Sequence, residues 1–160
     1  MVFNVPYVPS PIPVVRSMLR LSGAGPSDIV YDLGCGDARI LVIAVKEFNV
    51  WRAIGVEKDY TRYLTALKNI AIHGIGGRAL VIHGDMFYTD ISDATIVTLF
   101  LLTSVNEMLK PKLEKELKPG TRVVSHEFKI PGWRVAAEER VIDNRGFSHR
   151  IYLYIIGRHK

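Results

Sequence analysis

The sequence predicts an α/β domain with a mostly parallel sheet and helices on both faces. Three observations predict it. Strand-length apolar runs alternate with helix-periodic segments from residue 28 to 126, a glycine-rich turn joins the first strand to the next helix, and a polar turn splits two β-rich segments at the end. At 160 residues the chain fits one domain, expected to span 1–160 with residues 1–22 as an N-terminal arm and helix.

Residues 1–9 read as an extended arm, because Pro6 and Pro9 restrict themselves and the residues before them. Ser10 followed by Pro11 reads as a helix start; Val14, Val15, Met18 and Leu19 share one face, and Gly23, Gly25 and Pro26 end the helix. A strand follows over Asp28–Leu33, then a helix over Ala38–Phe48 with Leu41, Ala44, Val45 and Phe48 on one side. Trp51–Val56 is the second strand, Tyr60–His73 a helix, Arg78–His83 the third strand and Ala94–Leu101 the fourth. Ser104 and Glu107 have capping-box spacing, before a helix that restarts at Pro111 and ends at Lys118–Gly120. Thr121–His126 is the fifth strand. Arg134–Ile142 and Phe147–Ile156 flank the turn Asp143–Gly146 as a hairpin. Residues 127–134 are too few for a helical crossover, so one helix is expected to be missing. Five βα-type strands closed by a hairpin match the plan of the Rossmann-like seven-stranded methyltransferases. That plan implies a mixed sheet of order 3-2-1-4-5-7-6 with strand 7 antiparallel.

The densest chemical signal is Tyr31-Asp32-Leu33-Gly34-Cys35-Gly36-Asp37-Ala38-Arg39, a strand running through D-x-G-x-G into a helix. Glycines 34 and 36 permit a tight turn and a close ligand approach. Asp32 can accept from an ammonium, and the N–H groups at 37–39 are free at the helix start. A dinucleotide fingerprint would carry a third glycine where Arg39 stands, and an acid before the turn disfavours a pyrophosphate. S-adenosylmethionine (SAM) has an ammonium and no phosphate, so it is the expected cofactor. Glu57 ends the second strand, about 20 residues past the glycines, where it suits ribose hydroxyls. Asp85 follows the third strand and suits the adenine amine, with Met86 packing on the ring. The expected cofactor-binding set is Tyr7, Asp32, Leu33, Gly34, Gly36, Asp37, Glu57, Lys58, Asp85 and Met86. Cys35 reads as a small turn residue, since no neighbour in sequence activates it.

On the acceptor side, Thr98-Leu99-Phe100-Leu101-Leu102 lacks the Asn/Asp-Pro-Pro-aromatic segment typical of enzymes acting on planar nitrogens, and lacks a glutamate pair for a guanidinium. An sp3 amine needs neither once deprotonated. Lysine, with its pKa near 10.4, is then the expected acceptor in an apolar channel. Tyr7, Phe100, Phe128 and Trp133 are the candidate channel walls, with no general base identified. With no insertion to enclose a small acceptor, the site suits a side chain on a macromolecule.

The sequence resembles the compact crenarchaeal protein-lysine methyltransferases, which have relatives among mitochondrial lysine methyltransferases. The segments carrying the likeness are Pro6–Pro9, Tyr31–Ile40, Gly55–Asp59 and Leu99–Trp133. The resemblance implies SAM-dependent methylation of exposed lysines with broad specificity, small chromatin proteins included, by a monomer without a metal. It implies that Asp32, Gly34, Gly36, Glu57 and Asp85 bind cofactor and that Tyr7 lies at the lysine entrance. Ala38 stands where glycine is more usual, with little effect expected.

The five histidines show no ligand-like spacing, and one cysteine allows neither an internal disulfide nor a multi-cysteine metal site. No apolar run nears the ~20 residues of a membrane span, and the proline-broken N-terminus lacks a basic signal region, so a cytoplasmic protein without a membrane partner is expected. The absence of glutamine hints at a thermophile. Net charge is +5, but the basic residues form no run, which leaves nucleic acid an indirect partner at most. Two rival readings are an RNA or small-molecule methyltransferase and a non-catalytic SAM-binding module.

Overall fold

The computed structural model describes residues 7–160; residues 1–6 of the expected arm, Pro6 included, lie outside the described residues. Four helices and seven strands follow in order: α1 (Ile12–Leu21), β1 (Ile29–Leu33), α2 (Arg39–Phe48), β2 (Arg52–Glu57), α3 (Tyr60–Ile72), β3 (Ala79–His83), β4 (Ile96–Leu99), α4 (Thr103–Glu116), β5 (Arg122–His126), β6 (Ala137–Ile142) and β7 (Ser148–Ile155). The sheet order is β3-β2-β1-β4-β5-β7-β6, and β7 runs antiparallel to both its neighbours, as expected.

Alternation along the strands divides the core. Val30, Ala53 and Ile96 pack with Leu41 and Ala44 of α2 and Ala66 and Ile70 of α3. Their sequence neighbours Tyr31, Ile54 and Val97 face the other way, against Leu109 and Leu113 of α4. Helix α1 shares the face of α2 and α3, laying Val14 and Met18 on Val124, Ile151 and Leu153. Three helices cover one face and α4 covers the other.

Three local expectations fail. Ser10 does not cap α1: Pro11 holds the cap position with no side-chain bond, and the Ser10 hydroxyl faces His126 instead. Ser104 and Glu107 form no capping box, because α4 begins two residues earlier, with Leu102 at its cap, and Glu107 pairs with Lys110 at 3.5 Å. Nor does α4 restart at Pro111; it runs straight through. A proline there forfeits one backbone bond at a cost of about 3 kcal/mol. Fully burying Leu109 and Leu113 on the same stripe offsets this at roughly 1.5–3 kcal/mol each. The expected missing helix is indeed absent, and residues 127–136 connect β5 to β6 without one.

Candidate active site

The carboxyl ends of β1, β2 and β4 bring three polar side chains to the α2 face of the sheet. Asp32 and Thr98 are register partners, and the Thr98 hydroxyl donates to the Asp32 carboxylate at 2.9 Å. Asp32 is 4% exposed. Burial, assisted by the charges of Glu57 and Asp37 and opposed by the Thr98 bond, pushes its pKa up to about 7. Glu57 is equally buried, but each oxygen accepts one backbone N–H, from Gly36 at 2.9 Å and from Asp59 at 3.0 Å. A carboxylate has about four acceptor positions, so Glu57 keeps two for a ligand.

The turn between them depends on small residues. Gly34 and Gly36 have φ of +86° and +56°, which L side chains rarely adopt. Tyr7 packs over Gly36 so closely that a Cβ there would lie 2.6 Å from its ring, and its hydroxyl accepts from the Asp37 N–H at 3.1 Å. The Arg62 guanidinium sits 4.5 Å above the same ring. Cys35 is buried against Gly55, whose missing Cβ would fall 2.5 Å from its sulfur; burial raises the thiol pKa, which suits a packing residue. Ala38 adopts φ +69°, a strained conformation for alanine, so the substitution expected to matter little does carry a backbone cost of roughly 1 kcal/mol.

Four further residues from the cofactor set have their side chains engaged elsewhere or only partly free. The Leu33 side chain is buried in the α4-side core, leaving only its backbone to the turn. The Asp37 carboxylate is forked by Arg39, at 2.7 Å from Nη2 to Oδ2, which holds its pKa below the usual range despite burial. Asp85 accepts from the Phe87 N–H at 2.9 Å, and exposed Lys58 approaches its other oxygen at 3.6 Å. Met86 packs on the α4-side core beside Asp85.

A cavity of about 170 Å³ opens over the turn, lined by Tyr7, Ser10, Asp32, Gly34, Glu57 and Phe100 among others. Phe128 stacks on Phe100 at 6.2 Å between ring centroids. Trp133 does not join them. It is 8% exposed, packs edge-on against Tyr154 at 5.6 Å and against His159 at 4.5 Å, and belongs to the α4-side core. Its apolar mass is worth more in that core than at a solvent-open channel. In its place the fold supplies His126, which ends β5 and lies 3.9 Å from the Phe100 ring. Only its position at a strand's carboxyl end could have flagged it.

Residues 32–137 match the ANTKMT methyltransferase domain. The chain belongs to this family. It is 58% identical over 98% of its length to a protein-lysine N-methyltransferase of Saccharolobus islandicus, covering 97% of that protein. It is 35% identical over 84% of its length to the mouse adenine nucleotide translocase lysine N-methyltransferase, covering 58% of that longer chain. A solved RNA methyltransferase from Salinibacter ruber, in complex with S-adenosyl-L-homocysteine, superposes with a TM-score of 0.86 at 40% identity, covering 93% of this chain and 94% of that one.

This methyltransferase uses SAM, and its residues fit that molecule. Among the described residues the Asp32 carboxylate has one hydrogen-bond partner, Thr98, and borders the cavity, and Glu57 retains two acceptor positions beside a turn whose Gly34 and Gly36 carry no side chains. No helix among the described residues is long and apolar enough to cross a membrane.

Proposed function

We propose that this enzyme transfers the methyl group of SAM to lysine amines of proteins, with broad specificity that includes chromatin proteins, acting as a cytoplasmic monomer with all 160 residues in one domain. The observation that carries the reading is the near full-length, 58% identical lysine methyltransferase. Phe100 and Phe128, stacked beside the open cavity, support it, as does a Thr98–Leu102 segment without the Asn/Asp-Pro-Pro-aromatic pattern.

Bound SAM supplies a methyl group on a sulfonium, already activated for transfer. Asp32 receives the amino-acid ammonium through the oxygen not bonded to Thr98. Glu57 accepts the ribose hydroxyls while Gly36 and Asp59 hold its rotamer. Asp85 takes the adenine amine beside Met86, with Lys58 acting only through Asp85. Tyr7 covers the turn, and Phe100 with Phe128 forms the apolar wall along which the lysine stem lies. The protein's contribution is orientation and desolvation of an amine that attacks in line.

Labelled SAM with a lysine-rich protein, followed by mass spectrometry, tests this. Methyl-lysine is expected; label in RNA with none on lysine would end it. The second reading, RNA as acceptor, draws on the likeness to the Salinibacter ruber RNA methyltransferase and on the net charge of +5. It requires steeply salt-dependent RNA binding.

A further inference from the structure

We infer that Ser10, His126, His149 and Asp143 form a proton-accepting chain that takes one ammonium proton from an incoming lysine and holds it during methyl transfer. The inference rests on the lysine reading above. It answers a chemical need: about one lysine in 2,500 is neutral at pH 7, and only the neutral amine attacks.

The chain starts in the cavity and ends at the β6–β7 turn. Ser10 lines the cavity with Asp32 and Phe100, and its Oγ lies 2.8 Å from His126 Nδ1. His126 Nε2 lies 2.9 Å from His149 Nδ1, and His149 Nε2 lies 2.7 Å from Asp143 Oδ2. These groups share the α1 face of the sheet, since His126 follows Val124 by two positions and His149 precedes Ile151 by two.

Each link sets the next. Asp143, its pKa held low by His149 and by the backbone N–H groups of Phe147 and Arg145, only accepts. His149 Nε2 must therefore donate, which leaves Nδ1 of the neutral ring as an acceptor. His126 then donates from Nε2 and accepts at Nδ1, where the partner among the described residues is the Ser10 O–H. The Ser10 lone pairs remain to accept from the cavity.

The surroundings favour passage outward. His126 is 1% exposed under the Phe100 ring, and burial, then the neighbouring His149, lowers its pKa to about 3, so it passes a proton without retaining it. The carboxylates of Asp143 and Glu127 stand beside His149 at the far end, where they favour its protonated form. His126, Glu127 and His149 could also suggest a metal site, with ligand atoms within 4.8 Å of one another. The facing nitrogens at 2.9 Å fit a hydrogen bond better, since two ligands of a tetrahedral metal at about 2.0 Å lie roughly 3.3 Å apart.

The step balances. Lysine gives a proton to Ser10 Oγ, Ser10 gives its own to His126 Nδ1, and His126 passes its Nε2 proton to His149, which becomes an imidazolium paired with Asp143. The freed lone pair forms the N–C bond as the C–S bond breaks, its electrons going to sulfur. When the methylated lysine leaves, the stored proton returns by the same route to water entering the cavity, one proton per methyl group.

Ser10→Ala and His149→Asn test the chain. Turnover at pH 7 should fall about 100-fold in each. The loss should shrink to within about threefold near pH 10, where lysine loses its proton unaided, with S-adenosylhomocysteine affinity unchanged. Imidazole ¹⁵N spectra of the free enzyme should show both rings neutral and protonated at Nε2. Losses equal at every pH, an Nδ1–H on either ring, or a stoichiometric metal in the purified protein would each overturn the chain alone. Wild-type enzyme inactive on every lysine would overturn the proposed function and the chain with it.

Discussion

Thr98 and Asp32 face each other across the parallel pair β1–β4, so the hydroxyl that steadies the buried carboxylate is delivered by strand register. The site thus holds a group that the empty protein prefers protonated and the ligand prefers ionised. Folded Asp32 keeps its proton to about pH 7, whereas the unfolded chain loses it near 3.8. The folded state therefore binds more protons within that window, and stability falls as pH rises through it.

Asp32→Asn removes that penalty. The ligand-free variant at pH 8 should be more stable than wild type, by at most about 4 kcal/mol at 1.36 kcal/mol per pKa unit. Cofactor binding should be lost. Denaturant melts and calorimetry with S-adenosylhomocysteine read both; a variant less stable at pH 8 than wild type would contradict the assignment.

Thr98→Val keeps the shape and removes the donor. A hydrogen bond to a charged group is worth about 1.5–3 kcal/mol, so Asp32 should titrate one to two units higher. Affinity for S-adenosylhomocysteine at pH 7 should fall roughly tenfold or more and recover at higher pH. An unchanged pH midpoint of binding would count against it.

Gly55 is fixed by packing, since it lies within regular β2 where its backbone needs no glycine. A Cβ there would meet Cys35 Sγ at 2.5 Å and Cys35 Cβ at 2.6 Å. Gly55→Ala should cost about 1–3 kcal/mol and displace the cofactor turn. Adding Cys35→Ala should restore part of the stability in thermal melts, because the Cys35 Cβ remains in place.

Much of this was legible in the chain because it is periodic or local. The strand–helix alternation marked a mostly parallel sheet, whose order followed from its likeness to the seven-stranded methyltransferase plan, and D-x-G-x-G with Glu57 marked the turn and its carboxylates. What escaped depends on distant partners. Ser10 looks like a helix cap until His126, 116 residues later, takes its hydroxyl, and Pro111 looks like a helix start until α4 is seen to bury leucines on both sides of it. Trp133 looks like a channel wall because it follows β5, yet Tyr154 and His159 from the last strand and tail draw it into the core.

Trp133 therefore belongs to stability. Trp133→Ala should cost about 3–5 kcal/mol. Trp133→Phe should cost much less, because it also removes an Nε1–H that is buried without a partner among the described residues. It should leave kcat/KM for lysine unchanged, whereas Phe100→Ala should lower it. A Trp133→Phe enzyme with normal stability and poor lysine turnover would return Trp133 to the channel.

Tyr7 makes the opposite case, a residue half exposed yet central to the site. Its ring fills the space that Gly36 leaves open, and its hydroxyl satisfies one N–H at an exposed position. Tyr7→Phe gives up only that bond, so stability and affinity should change by less than about 1 kcal/mol. Tyr7→Ala strips the cover from the turn; losing about 2 kcal/mol of apolar contact should speed S-adenosylhomocysteine dissociation roughly thirtyfold. Stopped-flow displacement measures that rate. If Tyr7→Ala released ligand no faster than Tyr7→Phe, the ring would be a bystander and the turn alone would hold the cofactor.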